Sequence, residues 1–263
     1  MKSAPSEQTP HELEKDRQYV TALARGLQIL RCFTHERPEL TPQEIVKLTG
    51  LPQPTVWRLC HTLSKEGFIV CAGDNNRMAL GLPALGLGYA ALVRHNLPKV
   101  ALPYMQTLTE QHRVGMSLAV RDGVDMLYIQ RTHGDFIYMN DPVGARRPFH
   151  LAPTGWACFA GSDSDARDDV FAALERLDQA AALRAKQQLA QAADEYASTG
   201  FVTSIGVLHP HLNSVAVPIR SPRSATIYGL SASGLASDWP LERLRAVGAE
   251  LVSLAQQLAV AAD

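Results

Sequence analysis

No stretch of this 263-residue chain approaches the roughly 18 uninterrupted apolar residues that a membrane-crossing helix needs. The N-terminus, residues 1–18, is polar and has no apolar core of the kind a secretory signal carries, so it is expected to be a disordered arm. The four cysteines, Cys32, Cys60, Cys71 and Cys158, fall singly and form no CxxC pair. Zinc and disulfide readings are therefore weak, and small buried hydrophobes in a reducing cytoplasm are the better account. Neither sign of charge dominates, the formal net charge being -1. Walker, Rossmann and HExxH patterns are absent. Gly229-Leu230-Ser231-Ala232-Ser233-Gly234 falls short of a G-x-S-x-G elbow because its fifth position is Ser233. These absences argue against a membrane protein, a secreted disulfide scaffold and an enzyme.

What is present suits a two-domain globular protein, with 46% hydrophobic residues to fill two cores. The most informative stretch is Thr41 to Phe68. Thr41 can cap a helix, Pro42 fits its first turn, and Glu44 stands where a capping box places its carboxylate. Ile45, Val46 and Leu48 supply the buried side, and Gly50 ends the helix in a left-handed conformation. Leu51, Pro52 and Gln53 make the turn, and Pro54 falls in the first turn of a second helix. At about 100° per residue, Val56, Leu59, Cys60 and Leu63 share one side of that helix. Pro54, Arg58, His61 and Lys65 share the other, flanked by Thr55 and Thr62. Arginine can bond guanine bidentately and lysine can hold phosphate. A solvated helical hairpin would show the same face.

Phe68–Ala72 and Arg77–Leu80 then alternate like strands around the turn residues Gly73 to Asn76. A hairpin directly after a recognition helix makes a winged helix, with Arg77 a candidate phosphate or minor-groove contact. Upstream, Leu23, Leu27, Leu30 and Phe33 recur at helical spacing and are expected to close the small core.

Three pieces, Ala24–Leu30 (ARGLQIL), Leu40–Leu63 (LTPQEIVKLTGLPQPTVWRLCHTL) and Leu80–Gly88 (LGLPALGLG), resemble the IclR family of bacterial transcription regulators, and the resemblance runs from about Tyr19 to the end. Pro54 replaces the small polar residue usual in the family, and Trp57 occupies its variable position. The resemblance implies DNA contacts at Gln53, Thr55, Trp57, Arg58, His61, Thr62, Lys65 and Arg77. Tyr19 to Leu80 carries seven Lys or Arg against five Asp or Glu, a net of +2. So mild a charge grips DNA weakly through one copy, which implies a homodimer. Leu82–Asn96 reads as an apolar helix with Leu82, Leu85, Tyr89 and Leu92 along one side. It is either an internal strut or, as in the family, a linker helix that pairs DNA-binding domains.

The expected domains are an arm over 1–18, a winged helix-turn-helix over 19–81, a linker helix over 82–97 and an effector-binding domain over 98–263. In the last, helices are expected over about Pro98–His112, Asp165–Leu177, Ala180–Ser198 and Pro240–Val260. Strands are expected over Met116–Val120, Asp125–Thr132, Phe136–Met139, Asn213–Ile219 and Thr226–Ala232. Helices around an antiparallel sheet make an α+β class, and the resemblance implies a GAF-like sensor. Its effector pocket is implied by Gly144–Ala157 (GARRPFHLAPTGWA), Ser214–Ile219 (SVAVPI) and Leu230–Gly234 (LSASG), where relatives that bind small carboxylates place their contacts.

By position the resemblance implicates His150, Pro153, Thr154, Ser204, Ser214, Ser231 and Ser233. Hydroxyls and helix-terminal N–H groups stabilise an anion without a formal positive charge. Pro153 removes one N–H donor, and Ser204, expected in a loop, replaces a carboxylate found in some relatives. Both departures favour a larger or aromatic acid over the simplest keto acid. His209-Pro210-His211 with His150 fits no standard metal spacing, so no metal or cofactor is expected. The reading is a cytoplasmic regulator, dimeric or a dimer of dimers, whose hold on operator DNA responds to a small organic acid. The alternative is a small-molecule sensor acting through protein partners without sequence-specific DNA binding.

Overall fold

The computed structural model describes residues 18–73, 76–134, 141–177, 179–222 and 225–260. The chain divides between Arg94 and His95 into two compact units.

The first unit runs α1 (Thr21–Leu30), β1 (Glu39–Leu40), α2 (Pro42–Thr49), α3 (Gln53–Lys65), β2 (Ile69–Ala72), β3 (Arg77–Leu80) and α4 (Leu82–Leu92). A reciprocal capping box starts α2. The Glu44 N–H donates to Thr41 Oγ1 at 3.3 Å, and the Thr41 N–H donates to Glu44 Oε2 at 2.7 Å. Gly50 ends α2 at φ 68°, the left-handed conformation that glycine adopts freely. Ile45 from α2 packs against Val56 and Cys60 from α3 and Ile29 from α1, with Leu40 and Ile69 closing the core.

Four details differ from the sequence expectation. Leu48, expected on the buried side of α2, is 45% exposed, and Cys71, expected to be buried, is exposed on β2. The buried stripe of α1 is Gly26 and Ile29, continued by Cys32 and Phe33. Leu23 and Leu27 are exposed instead. Apolar residues cover two adjacent faces of this helix, and spacing alone does not choose between them. The wing also has a third strand, since β1 pairs with β3 to give the order β1-β3-β2. Asp74 and Asn75 of the expected turn lie outside the described residues. No residue of α4 is buried, and Leu82, Leu85 and Tyr89 are 82%, 70% and 66% exposed.

The second unit runs α5 (Leu97–His112), β4 (Gly115–Asp122), β5 (Asp125–Thr132), β6 (Arg146–Pro148), α6 (Pro153–Ala160), α7 (Ser164–Leu177), α8 (Gln179–Thr199), β7 (Val202–Ile205), β8 (Leu212–Arg220), β9 (Ile227–Leu235) and α9 (Leu241–Ala259). Its six strands form one antiparallel sheet in the order β6-β5-β4-β9-β8-β7. The expected strand Phe136–Met139 lies outside the described residues. The arrangement is the α+β, GAF-like one, with helices on both faces of the sheet.

Alternation along the strands assigns the faces. Met116, Leu118, Val215, Val217, Leu230 and Ala232 turn to the side covered by α5 and α9. Ala119, Tyr128, Ala216 and Val202 join the core built with α6, α7 and α8. α6 approaches this second face closely at Gly229. A Cβ there would stand 2.4 Å from the Thr154 carbonyl oxygen, so only glycine admits the helix.

Candidate nucleic-acid interface and ligand cavity

The α3 surface follows from its periodicity. Val56 and Cys60 are buried, and Leu59 and Leu63 pack against the same core. That leaves Gln53, Pro54, Trp57, Arg58, His61, Thr62 and Lys65 exposed, while Thr55 is half-buried. The Thr62 hydroxyl donates to the Arg58 carbonyl at 3.1 Å, a back-bond within the helix. Arg77 is half-buried on β3, and its Nη1 donates to the Glu39 carbonyl at 3.2 Å, tying the wing to β1. An open, mainly apolar groove of about 1010 Å³ runs between α1 and α3, edged by Leu23, Leu27, Trp57 and Arg58. The α3 helix thus presents an exposed, polar and cationic face in the same unit as a three-stranded wing.

The second unit holds a different kind of site. Strand register sets its polar groups in two rows on the face under α6. In one row Ser233, Ser214 and Ser204 stand side by side on β9, β8 and β7. In the next, Ser117 on β4 stands beside Ser231 on β9. Ser214 and Ser233 share a hydrogen bond at 2.8 Å between their hydroxyls. These five serines, with Tyr128, Pro153, Leu208, His209 and Leu212, enclose a cavity of about 10 Å³. That is room for about one water molecule. No acidic side chain lines it.

Five of the seven residues named from the sequence therefore meet here: Pro153, Ser204, Ser214, Ser231 and Ser233. Ser204 lies on the edge strand β7 rather than in a loop. Thr154 and His150 stand apart from the lining. Thr154 packs its backbone on Gly229, and its buried hydroxyl has no hydrogen-bond partner. The His150 carbonyl accepts from Trp156 Nε1 at 2.8 Å, which fixes the loop that enters α6. Burial holds the His150 pKa below the ordinary histidine value, aided by Arg184 and opposed by Asp125. Burial also pushes the Tyr128 hydroxyl up to about 12, so it stays a neutral phenol.

Ser117 and Tyr128 were not singled out from the sequence. The available signal was Ser117 alone, a hydroxyl at an inward position of the otherwise apolar run Met116–Val120. Pro153 opens α6 at its first position, so the first amide of the helix is that of Thr154. Among the described residues, no group of three or more His, Cys, Asp or Glu could hold a metal ion. No described helix is long and apolar enough to cross a membrane.

Comparison with known proteins agrees with both halves. The IclR helix-turn-helix domain model matches residues 22–70, and the model of the bacterial transcriptional regulator IclR C-terminal region matches residues 89–260. The HTH-type transcriptional regulator TsaQ1/TsaQ2 of Comamonas testosteroni is 28% identical over 255 residues, covering 95% of this chain and 91% of the relative. A crystal structure of an IclR family transcriptional regulator from Brucella abortus superposes with a TM-score of 0.86 at 31% identity, covering 100% of both chains. An IclR homolog from Microbacterium hydrocarbonoxydans, crystallised with 4-hydroxybenzoate, shares the fold with a TM-score of 0.69 at 22% identity, over 90% of this chain and 98% of that one. The two family models together span most of the chain, and its relatives are regulators rather than enzymes. The chain thus belongs to the IclR family of DNA-binding bacterial transcriptional regulators.

Proposed function

We propose that this regulator holds a roughly palindromic operator as a homodimer, or a dimer of dimers, in the cytoplasm, and that a small carboxylic or aromatic acid changes that hold. The observation that carries the acid is the cavity: five serine hydroxyls beside the start of α6, with no carboxylate among the lining residues. Hydroxyl donors and a helix N-terminus both favour an anion. A homolog of the same fold crystallised with 4-hydroxybenzoate supports the aromatic end of the class.

Residues 19–81 form the DNA reader, 82–97 the linker and 98–263 the sensor. Gln53, Thr55, Trp57, Arg58, His61, Thr62 and Lys65 face the groove, and Arg77 on the wing faces the backbone. The apolar, exposed α4 pairs the readers of two chains. In the sensor, Ser204, Ser214, Ser231 and Ser233 supply hydroxyls and Pro153 shapes the mouth. His150 and Thr154 act by fixing the loop and first turn of α6. A cavity of about 10 Å³ is the closed arrangement. An acid therefore favours a dimer in which Leu208 and His209 have moved, and it shifts DNA affinity only by its preference for that state.

The test is fluorescence anisotropy of the full chain on DNA from upstream of its own gene, with scrambled competitor and a panel of aliphatic and aromatic acids. The expected result is specific binding altered by at least one acid. In the Ser231→Ala, Ser233→Ala double variant that response should weaken about tenfold, the scale of one or two neutral hydrogen bonds. Its unliganded DNA binding should stay near that of the parent. Specific DNA binding indifferent to every acid would remove the effector assignment.

A further inference from the structure

The cavity has a cationic neighbour. Arg131 on β5 stands directly across from Ser117 on β4. Directly opposed residues have Cβ atoms about 5 Å apart on one face of a sheet. The Arg131 side chain is only 2% exposed. Its guanidinium carbon lies 4.8 Å from the centre of the Tyr128 ring. Arg131 thus touches or faces two residues of the lining.

The guanidinium is incompletely satisfied. Nη1 donates to the Asp141 carbonyl at 2.8 Å and stands 3.6 Å from Asp141 Oδ2. Arg147 donates to the same carboxylate through Nε and Nη2. Arg131 Nε is buried with no hydrogen-bond partner. A buried donor left unmade is unfavourable, and a group that reaches it is favoured by that much more. Burial lowers the Arg131 pKa, yet an arginine remains protonated, and its one nearby carboxylate, Asp141, is shared with Arg147. An anionic oxygen therefore meets the open Nε–H with a stronger bond than a neutral acceptor does.

We propose that Arg131 is the specificity-determining anchor of the effector cavity, engaging one oxygen of a carboxylate through Nε while the Ser117 and Ser231 hydroxyls donate to the other. This rests on the acid-sensing reading of the cavity and names the group that enforces it. The Tyr128 ring stacks on the guanidinium in the closed form and must shift when the acid enters. Tyr128, Leu208 and Leu212 then pack on the apolar body of the ligand. Every polar group reaching the carboxylate is a donor. A primary amide of the same shape can turn its N–H₂ to the serine hydroxyls, which accept as well as donate, but it offers the guanidinium a neutral oxygen in place of a charged one and binds more weakly.

The experiment is calorimetric titration of the full-length protein with benzoate, 4-hydroxybenzoate and butyrate, each beside its primary amide. It compares the parent with Arg131→Gln, Arg131→Lys and the Ser231→Ala, Ser233→Ala double variant. The parent should prefer an acid to its amide by about 10- to 100-fold, the scale of a charge-assisted hydrogen bond. Arg131→Gln should erase that preference by weakening acid binding alone, and Arg131→Lys should retain part of it. A parent that binds acid and amide equally would overturn the anchor, even if Arg131→Gln failed to fold.

Unchanged acid binding in Arg131→Gln, with loss in the double serine variant, would also overturn the anchor while leaving the cavity in place. Acid binding untouched in the double serine variant would instead overturn the cavity reading, and the anchor with it. Failure of all three acids to bind the parent would do the same.

Discussion

The two sites are made in opposite ways. The proposed DNA-reading face of α3 is a product of one helix: bury Val56 and Cys60, and Arg58, His61 and Lys65 must face out. The cavity in the second unit is a product of register across five strands. Ser117 meets Ser231, and Ser233 meets Ser214 and then Ser204, only because β4, β9, β8 and β7 pair without a slip. A one-residue slip of any of them would send its hydroxyls to the opposite face. The reader is therefore robust to changes elsewhere, whereas the sensor depends on distant backbone approaches.

The largest expected effect tests that dependence. Gly229→Ala places a Cβ within 2.4 Å of the Thr154 carbonyl oxygen and 2.7 Å of the Thr154 Cβ. Backbone cannot yield as a flexible side chain can, so α6 must lift from the sheet. Overpacking of this kind costs about 1–3 kcal/mol, and the upper end is expected here. Acid binding should be lost while DNA binding in the absence of acid persists. Equal losses of both, measured by anisotropy and calorimetry on the same preparation, would show that the sensor's packing governs the reader.

The same contrast explains what was legible. The reader is written in local signals: the Thr41–Glu44 capping box, Gly50 at φ 68° and the spacing from Val56 to Leu63. Even there, the choice between Leu23 with Leu27 and Gly26 with Ile29 was beyond periodicity, because the first turns of α1 are apolar on two faces. In the sensor, Ser231 and Ser233 lie two apart on a strand and so share a face, which is local. That Ser117 and Arg131 join them is set by the β4–β5 and β4–β9 pairings, which no spacing within one segment encodes. The β4–β5 pair also shifts register between Leu118 and Ala119, and this brings Tyr128 and Arg131 to the same side although they are three residues apart. A four-residue edge strand such as β7 carries too short a pattern to be told from a loop, so the position of Ser204 on a strand is legible only in the pairing with β8.

Next in size is the reader's own test. Arg58→Ala removes an exposed guanidinium from the middle of α3 without touching the core. If Arg58 reads a base, operator affinity falls by about 1–3 kcal/mol and the preference at one base pair relaxes. Acid binding should not change, in contrast to Gly229→Ala. A uniform loss over all sequences, with a shallower salt dependence, would make Arg58 a phosphate contact instead.

The smallest effect probes the local origin of the reader through pH. Glu44 Oε2 accepts from the Thr41 N–H at 2.7 Å and from the Thr41 hydroxyl at 2.9 Å. These bonds, the backbone one first, hold the Glu44 pKa below the ordinary glutamate value, with Arg77 and Lys47 adding to the same direction. A carboxylate whose folded pKa is depressed stabilises the fold fully above its unfolded pKa. That contribution disappears as pH falls through the folded pKa. Glu44→Gln keeps an acceptor for the Thr41 N–H but removes the charge, so it should loosen α2 slightly near neutral pH and not at all in acid. Hydrogen exchange of residues 41–50, referenced to residues 212–220 in the same sample, isolates the change from the intrinsic pH dependence of exchange. A difference between Glu44→Gln and the parent that persisted unchanged into acid would place the effect in packing rather than in the capping charge.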